Sequence, residues 1–258
     1  MVFAMRLFVL LLVLAPFSFE LKAQESCNAE AKLLLVPEQA EAAIPKLHAT
    51  EELRTRIYFY DTPSLDLLSK GLILRLRKGA NGDLTVKLRP LDGKHFFASS
   101  SGSERYKCEV EITGGAEGRS YSVGTRYSAD QVPESGAELA RLLSPGQTRL
   151  LEDSQVQVDW TKVKRVADIQ STNWTVRAQA PLNKASMELW EWQRGEWPSG
   201  EWPSGRILEM SAKTGPDAGH AAYTELESLA KKKGLALSAV QRSKTATALE
   251  EMKAVPPR

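Results

Sequence analysis

The chain has 258 residues, of which 42% are hydrophobic and 26% are charged, and its formal net charge is +2. This composition is that of an ordinary globular protein and excludes a disordered or collagen-like chain. The near balance of charges also argues against nucleic-acid binding, because domains that bind nucleic acid usually carry a clear basic excess.

The first 23 residues have the layout of a secretory signal peptide. Arg6 precedes an apolar run at 7–19, and Ala23 can close a cleavage site. The run is too short to span a bilayer comfortably. We therefore expect residues 1–23 to be removed, leaving a single domain at 24–258 without a stable membrane span, in the periplasm or secreted.

Export would bring the two cysteines, Cys27 and Cys108, into an oxidising compartment. A disulfide between them and two unrelated buried cysteines both remain open at this point.

Short helices are expected between the strands of the remaining chain. In chain order the pattern predicts strands at 28–35, 56–61, 72–78, 84–89, 105–112, 162–168, 173–177, 186–193 and 206–214. It predicts helices at 38–48, 64–70, 138–143, 147–153 and 221–233. The glycine-containing segment 114–127 is predicted to be a loop.

A perfect tandem repeat, GEWPSGEWPSG, occupies residues 195–205. Its turn-forming residues predict the tip of a hairpin that a local duplication has lengthened. An expanded surface loop is the simpler interpretation, and a binding role for Trp197 and Trp202 is the alternative.

Five of the predicted strands carry one charged face each, because alternate residues of a strand share a face. These faces hold Asn28, Glu30 and Lys32; Arg75 and Arg77; Lys87 and Arg89; Arg105, Lys107, Glu109 and Glu111; and Glu209, Ser211 and Lys213. One interpretation is an antiparallel sheet whose charged side faces water. The other curls the sheet into a barrel whose charged interior binds a polyphosphate and its metal.

Residues 58–90, YFYDTPSLDLLSKGLILRLRKGANGDLTVKLRP, resemble the signature of the CYTH superfamily, the triphosphate tunnel metalloenzymes. Residues 28–32, NAEAK, are similar to the ExExK motif of that family, with Asn28 in place of its first acid. The late strand has Ser211 where a second acid is expected, and Arg242-Ser243-Lys244 resembles the terminal Ser-Lys. With gaps, the resemblance covers residues 28–249.

The resemblance implies an α+β fold, an antiparallel eight-stranded β-barrel with a charged interior and helices packed outside. It also implies Mg²⁺ or Mn²⁺ as cofactor. The catalytic residues implied are Glu30, Lys32 and Lys87. The phosphate-binding residues implied are Lys32, Arg75, Arg77, Lys87, Arg89, Lys107, Lys213 and Lys244. The metal ligands implied are Glu30, Glu109, Glu111 and Glu209, with Glu188 as a further candidate.

The sequence therefore predicts an exported, metal-dependent phosphohydrolase that acts on inorganic triphosphate, short polyphosphate or an organic triphosphate. Its partner would be this small phosphorylated substrate, and the oligomeric state stays open. One alternative is a non-catalytic binder of polyphosphate or another polyanion in the same tunnel, and another is a structural β-domain. The isolated histidines His48, His95 and His220 do not suggest a zinc site.

Overall fold

The fold was determined from a computed structural model, which describes residues 27–92, 96, 102–178, 182, 185–193, 195–197, 200–202 and 204–253. The predicted signal peptide at 1–23 and His95 lie outside the described residues. The strands are β1 (Asn28–Leu35), β2 (Thr50–Asp61), β3 (Leu72–Lys78), β4 (Asp83–Leu88), β5 (Arg105–Thr113), β6 (Ala116–Arg126), β7 (Lys164–Val176), β8 (Ala185–Trp192), β9 (Gly195–Trp197), β10 (Gly200–Trp202) and β11 (Gly205–Thr214). The helices are α1 (Ala40–Lys46), α2 (Asp66–Ser69), α3 (Gly136–Ala140), α4 (Pro145–Ser154), α5 (Gly219–Lys232) and α6 (Lys244–Lys253).

Nine of these described strands close into a barrel, in the order β1-β11-β8-β7-β2-β3-β4-β6-β5 and back to β1. Every neighbouring pair is antiparallel except β1 and β5, which run parallel. A ring with an odd number of strands cannot alternate direction throughout, so nine strands require a parallel pair. The α+β barrel is thus confirmed, and its count is corrected from eight strands to nine.

The strand beyond the expected eight is β6, in the segment predicted to be a loop. Small residues obscured its pattern, because Ser122 and Gly124 alternate with the buried Tyr121 and Val123. The small residues have a structural reason. Ser122 pairs with Lys87 on one side and with Lys107 on the other, which leaves room for two long cationic side chains.

Two predicted strands, 162–168 and 173–177, are one continuous strand, β7. Strand β2 is also longer than predicted and pairs with β7 over nearly its whole length. The polar residues at 170–172, between the two strands predicted for β7, are therefore held in the sheet by this pairing. The helix α6 was not predicted.

Helices cover the outer faces of the barrel, as expected. The outer apolar side chains of β1, β8 and β11 pack on α1 and α5, and those of β3, β4 and β6 pack on α3 and α4. Leu226 and Ala230 of α5 and Leu150 of α4 are fully buried in these layers. Burial of a leucine side chain contributes about 1.5–3 kcal/mol, so the outer layers hold the strand faces in place.

The interior of the barrel is divided in depth between an apolar part and a charged part. Apolar inward-facing side chains pack against Ala248, Leu249 and Met252 of α6. These inward-facing residues are Leu34, Ile57, Phe59, Ile73, Trp190, Trp192 and Ile207. The helix therefore packs over the apolar end of the barrel, and the charged residues lie beyond it.

A disulfide joins Cys27 to Cys108 with a Cα–Cα distance of 4.8 Å. In the parallel pair Asn28 lies opposite Glu109, so the disulfide lies one residue before this register position. It therefore ties together β1 and β5 at the parallel seam of the barrel. Parallel pairing is slightly weaker per residue than antiparallel pairing, so the covalent link strengthens the weaker junction.

The tandem repeat forms the hairpin predicted for it, since β9 and β10 pair antiparallel between β8 and β11. No helix among the described residues combines the length and the apolar character that crossing a bilayer requires.

Candidate functional site

A cavity of about 510 Å³ occupies the charged part of the barrel interior. All twelve residues predicted for the site line this cavity: Glu30, Lys32, Arg75, Arg77, Lys87, Arg89, Lys107, Glu109, Glu111, Glu209, Lys213 and Lys244. Glu188 lines it as well, as do Asp83 and Arg105, which were missed as site residues. Strand parity carried a signal for both, because Asp83 shares a face with Lys87, and Arg105 shares one with Lys107.

Exposure of the side chains shows which end of the cavity meets solvent. Arg105 and Lys213 have side chains that are 56% and 51% exposed, whereas Lys244 is 8% exposed. Ser243, Lys244 and Thr245, at the start of α6, line the deep end together with Phe59 and Trp190. The cavity therefore extends from a charged mouth to a floor that α6 provides.

The β3–β4 hairpin places four cations on the cavity wall. Arg75 lies opposite Thr85, and Arg77 lies opposite Asp83. Gly71, just before β3, has φ +77°, and the backbone N–H of Arg89 donates to its carbonyl at 2.8 Å. A Cβ at Gly71 would lie 2.0 Å from the carbonyl oxygen of Arg89, so glycine is needed for this close approach.

Three carboxylates meet at the parallel seam. Glu30, Glu109 and Glu111 each offer one oxygen such that these atoms all lie within 4.8 Å of one another. We call these residues the carboxylate trio. Carboxylate oxygens are the ligands that Mg²⁺ and Mn²⁺ prefer, so the residue types fit a hard divalent cation. Glu209, predicted as a fourth ligand, does not belong to this group.

Glu111 is the most heavily engaged member of the trio. One of its oxygens accepts from Nζ of Lys32 at 2.5 Å and from Nζ of Lys87 at 2.6 Å, and the other accepts from Nε of Arg89 at 2.9 Å. Burial raises the pKa of Glu111, but Lys87, Lys32 and Arg89 together lower it well below its usual range. The carboxylate therefore stays ionised and holds three of the predicted phosphate-binding cations.

Glu30 and Glu109 are held less tightly. Glu30 lies 3.1 Å from Nζ of Lys32, and Lys213 lies 3.9 Å from Glu30 and 3.4 Å from Glu109. Burial raises the pKa of Glu30, but Lys32 and Lys213 lower it overall, so this carboxylate is also ionised. Glu30 and Glu109 thus offer the more accessible oxygens for a metal.

The two lysines on Glu111 differ in their proton affinity. Burial lowers the pKa of Lys87 to about 8, and the nearby cations Lys32 and Arg89 add to this, against the attraction of Glu111. Burial also lowers the pKa of Lys32, but Glu30 and Glu111 raise it overall above its usual value. Of these two lysines, Lys87 is therefore the one whose protonated form gains more from a bound anion.

Lys244 lies at the floor between two carboxylates. It pairs with Glu209 at 2.9 Å and with Glu188, and its Nζ lies 4.5 Å from the centre of the Trp190 ring. Glu188 also accepts from Ser171 and from the Trp190 indole. Two carboxylates thus neutralise Lys244, and its side chain is the least exposed of the predicted phosphate-binding cations.

Arginines gather at the opposite end. Arg75, Arg77 and Arg105 surround Asp83 at N–O distances of 3.6, 3.8 and 3.8 Å. We call these three side chains the arginine cluster. Nε of Arg75 is buried and has no hydrogen-bond partner among the described residues. Burial lowers the pKa of Arg75 to about 10, and the charge of Arg77 adds to the effect.

The two acids that the family motif would supply are both altered. Asn28 is exposed and does not line the cavity. Ser211 does line it, where its hydroxyl lies 3.1 Å from that of Ser186. Neither residue contributes charge to the carboxylate trio.

Among the described residues, nine cations and six carboxylates line the cavity, an excess of three positive charges. The cations are Lys32, Arg75, Arg77, Lys87, Arg89, Arg105, Lys107, Lys213 and Lys244. The excess lies towards the mouth, because the floor has two carboxylates for one lysine. A concave site lined by one sign of charge attracts the opposite charge, so the cavity is suited to a polyanion.

No protein-family model matches the chain, and no curated protein matches it in sequence. Solved structures do match. One is HpAC1 from Hippeastrum, which is described as an adenylyl cyclase candidate with a dominant triphosphatase activity. It matches with a TM-score of 0.51 and 20% sequence identity, and the match covers 84% of this chain and 93% of that chain. Another is an adenylate cyclase candidate from Bacillus halodurans, with a TM-score of 0.53 and 14% identity over 86% and 97% of the two chains.

The chain shares the fold of these two proteins. This fold brings the cations of the cavity wall and the carboxylate trio into one closed barrel, which confirms the fold that the resemblance of residues 58–90 indicated. At these levels of identity the similarity shows the architecture, and the chemistry depends on the residues of the cavity itself.

Proposed function

We propose that the protein is a divalent-metal-dependent phosphohydrolase of the triphosphate type, acting on inorganic triphosphate, short polyphosphate or an organic triphosphate. One observation carries the proposal: a carboxylate trio and an excess of cations share one cavity inside a closed barrel. The triphosphatase activity described for the Hippeastrum protein supports the same class of substrate.

The chain's own residues would bind and orient the phosphates. Arginine suits bidentate contacts with phosphate oxygens, and lysine acts as a point charge. Arg75, whose buried Nε has no hydrogen-bond partner among the described residues, and Lys107, for which no ion pair is seen among them, have capacity to bind a new anion. A phosphate beside Lys87 would raise its pKa from about 8 and keep it protonated during binding.

The carboxylate trio fits a metal in donor type and spacing. Glu30 and Glu109 would hold Mg²⁺ or Mn²⁺, and Glu111 would join them to the extent that Lys32 and Lys87 move to phosphate oxygens. When bound, such an ion supplies charge neutralisation of the phosphoryl group and a site for the attacking water. In the reaction water forms a new P–O bond, the bridging P–O bond breaks, and positioning by the cations carries most of the catalysis.

The alternative is a non-catalytic binder of polyphosphate or another polyanion. The altered positions Asn28 and Ser211 favour it, because fewer carboxylates weaken metal binding. We also propose that the protein is exported and acts in the periplasm or outside the cell. The Cys27–Cys108 disulfide supports this, because structural disulfides persist mainly in oxidising compartments.

Orthophosphate release from tripolyphosphate tests the proposal, with polyphosphate and ATP as further donors. We expect release that requires Mn²⁺ or Mg²⁺, is abolished by EDTA, and falls at least about a hundredfold in Glu30→Gln and Lys87→Ala. Glu117→Gln is the matched control, because Glu117 is exposed and pairs with His220 outside the cavity. A rise in melting temperature with tripolyphosphate but no release would identify the binder. Absence of both effects would contradict enzyme and binder alike.

A further inference from the structure

Asp83 lies among the three arginines of the arginine cluster, towards the mouth of the cavity. Its side chain is 14% exposed, and its two oxygens face Arg75, Arg77 and Arg105. Thr85 donates its hydroxyl to Asp83 at 3.2 Å and accepts from Arg75 at 3.2 Å, so the carboxylate and the least exposed arginine of the cluster share this threonine. Asp83 is the first residue of β4 and lies opposite Arg77 in the strand pairing, which places its carboxylate beside the arginines.

The contacts between Asp83 and the arginines are loose. All three N–O distances, 3.6 to 3.8 Å, exceed the 2.7–3.2 Å of a good hydrogen bond. At the trio, by contrast, Glu111 binds its cations at 2.5 to 2.9 Å. Asp83 therefore neutralises part of the charge of the arginine cluster without a close hydrogen bond to any of the three guanidinium groups. Apart from the bond that Arg75 donates to Thr85, the N–H groups of the cluster can turn towards a phosphate.

We propose that Asp83 is a specificity-determining residue, whose carboxylate competes with the ligand for Arg75, Arg77 and Arg105 and so weakens the binding of anions at the mouth. This inference rests on the proposed phosphate-binding function. A ligand of low charge gains too little from the cluster to overcome the carboxylate. A polyphosphate gains from the cluster and from the deeper lysines together.

A different role would predict the opposite result. If Asp83 positions the arginines, its removal disorders them and anions bind more weakly. If it competes with the ligand, its removal takes away the repulsion and anions bind more tightly. The sign of the change in affinity decides between the two.

The experiment is isothermal titration calorimetry of wild type and Asp83→Asn with tripolyphosphate and with orthophosphate, at fixed ionic strength and without metal. We expect Asp83→Asn to bind tripolyphosphate about tenfold more tightly, the effect of removing one like charge near a partly buried site. We also expect it to gain affinity for orthophosphate. Asp168→Asn is the matched control, because Asp168 pairs with Arg56 at 2.7 Å but does not line the cavity; it should leave both affinities unchanged.

A second variant keeps the test valid if Asp83→Asn folds poorly. Arg105 is exposed at the rim, so Arg105→Gln should fold and should weaken tripolyphosphate binding modestly. In the double variant the Arg105 substitution should cost more than in the wild type, because no carboxylate then competes for that arginine.

The two ideas fail separately. Lack of tripolyphosphate binding by the wild type contradicts the proposed function. Binding by the wild type that Asp83→Asn leaves unchanged or weakens, or that Asp168→Asn strengthens equally, contradicts the role of Asp83.

Discussion

Replacing Glu111 by Gln removes the charge that three partly buried cations share. Lys32, Lys87 and Arg89 all donate to this carboxylate, and its side chain is 8% exposed. Removing one partner of a buried ion pair costs about 3–5 kcal/mol, because the remaining charge is left uncompensated. Glutamine keeps the shape of the side chain, so the change isolates the charge.

The expected loss of about 3–5 kcal/mol corresponds to a fall in melting temperature of about 6–20 °C for a chain of this size. Tripolyphosphate should restore much of the loss in Glu111→Gln, because its own charge replaces the missing carboxylate. The variant should therefore show a larger ligand-induced rise in melting temperature than the wild type. Denaturant unfolding and thermal unfolding, each with and without tripolyphosphate, measure both effects.

Glu117→Gln is again the control, since an exposed ion pair such as Glu117 with His220 contributes at most about 1 kcal/mol. If Glu111→Gln lost no more stability than Glu117→Gln, Glu111 would not hold the three cations together. Equal stabilisation of wild type and Glu111→Gln by tripolyphosphate would show that the ligand does not reach these cations.

Two further predictions concern stability. Burial raises the pKa of Glu188, but Lys244 and Arg77 lower it overall. The ionised side chain therefore stabilises the fold fully above the ordinary pKa of 4.5, and this stabilisation is lost as the pH falls towards the folded pKa. The difference in unfolding free energy between wild type and Glu188→Gln should shrink below pH 4.5, and a constant difference would contradict the pairing. Reduction of the Cys27–Cys108 disulfide, or replacement of both cysteines by serine, should lower the free energy of unfolding by about 2–5 kcal/mol. It should also weaken Mn²⁺ binding, measured by calorimetry, because the parallel seam carries Glu30, Glu109 and Glu111. An unchanged Mn²⁺ affinity would mean that strand pairing alone keeps the trio in place.

Strand parity predicted most of the site because it depends only on the alternation of side chains along a strand. Eleven of the twelve predicted residues lie on predicted strands and have the parity of the cavity wall, whereas Lys244, at the start of α6, was implied by the resemblance alone; all twelve line the cavity. Parity does not predict how deep a residue lies. The same faces become apolar at Leu34, Ile73, Trp190 and Ile207, which pack with α6, and helix α6 is remote in sequence from the strands that it closes.

Pairing between side chains was also beyond the sequence. Lys244 was predicted to bind phosphate, but whether a lysine faces a ligand or a carboxylate depends on which strands become neighbours. Here β8 and β11 are adjacent, with Glu188 opposite Glu209, so Lys244 lies against two carboxylates. The miss at β6 has the same origin, since its small residues make sense only beside Lys87 and Lys107 on the neighbouring strands.

The arrangement around Glu111 implies that phosphate and metal help each other to bind. Without a ligand, both oxygens of Glu111 accept hydrogen bonds from cations. Under the proposed function, a polyphosphate that drew Lys32, Lys87 or Arg89 to its own oxygens would release Glu111 for a metal, and the metal would in turn neutralise the phosphate. Such coupling is reciprocal, so tripolyphosphate should raise the affinity for Mn²⁺ by the same factor by which Mn²⁺ raises that for tripolyphosphate. In Glu111→Gln the factor should fall towards what direct contact between metal and phosphate provides, and an unchanged factor would show that Glu111 takes no part in the coupling.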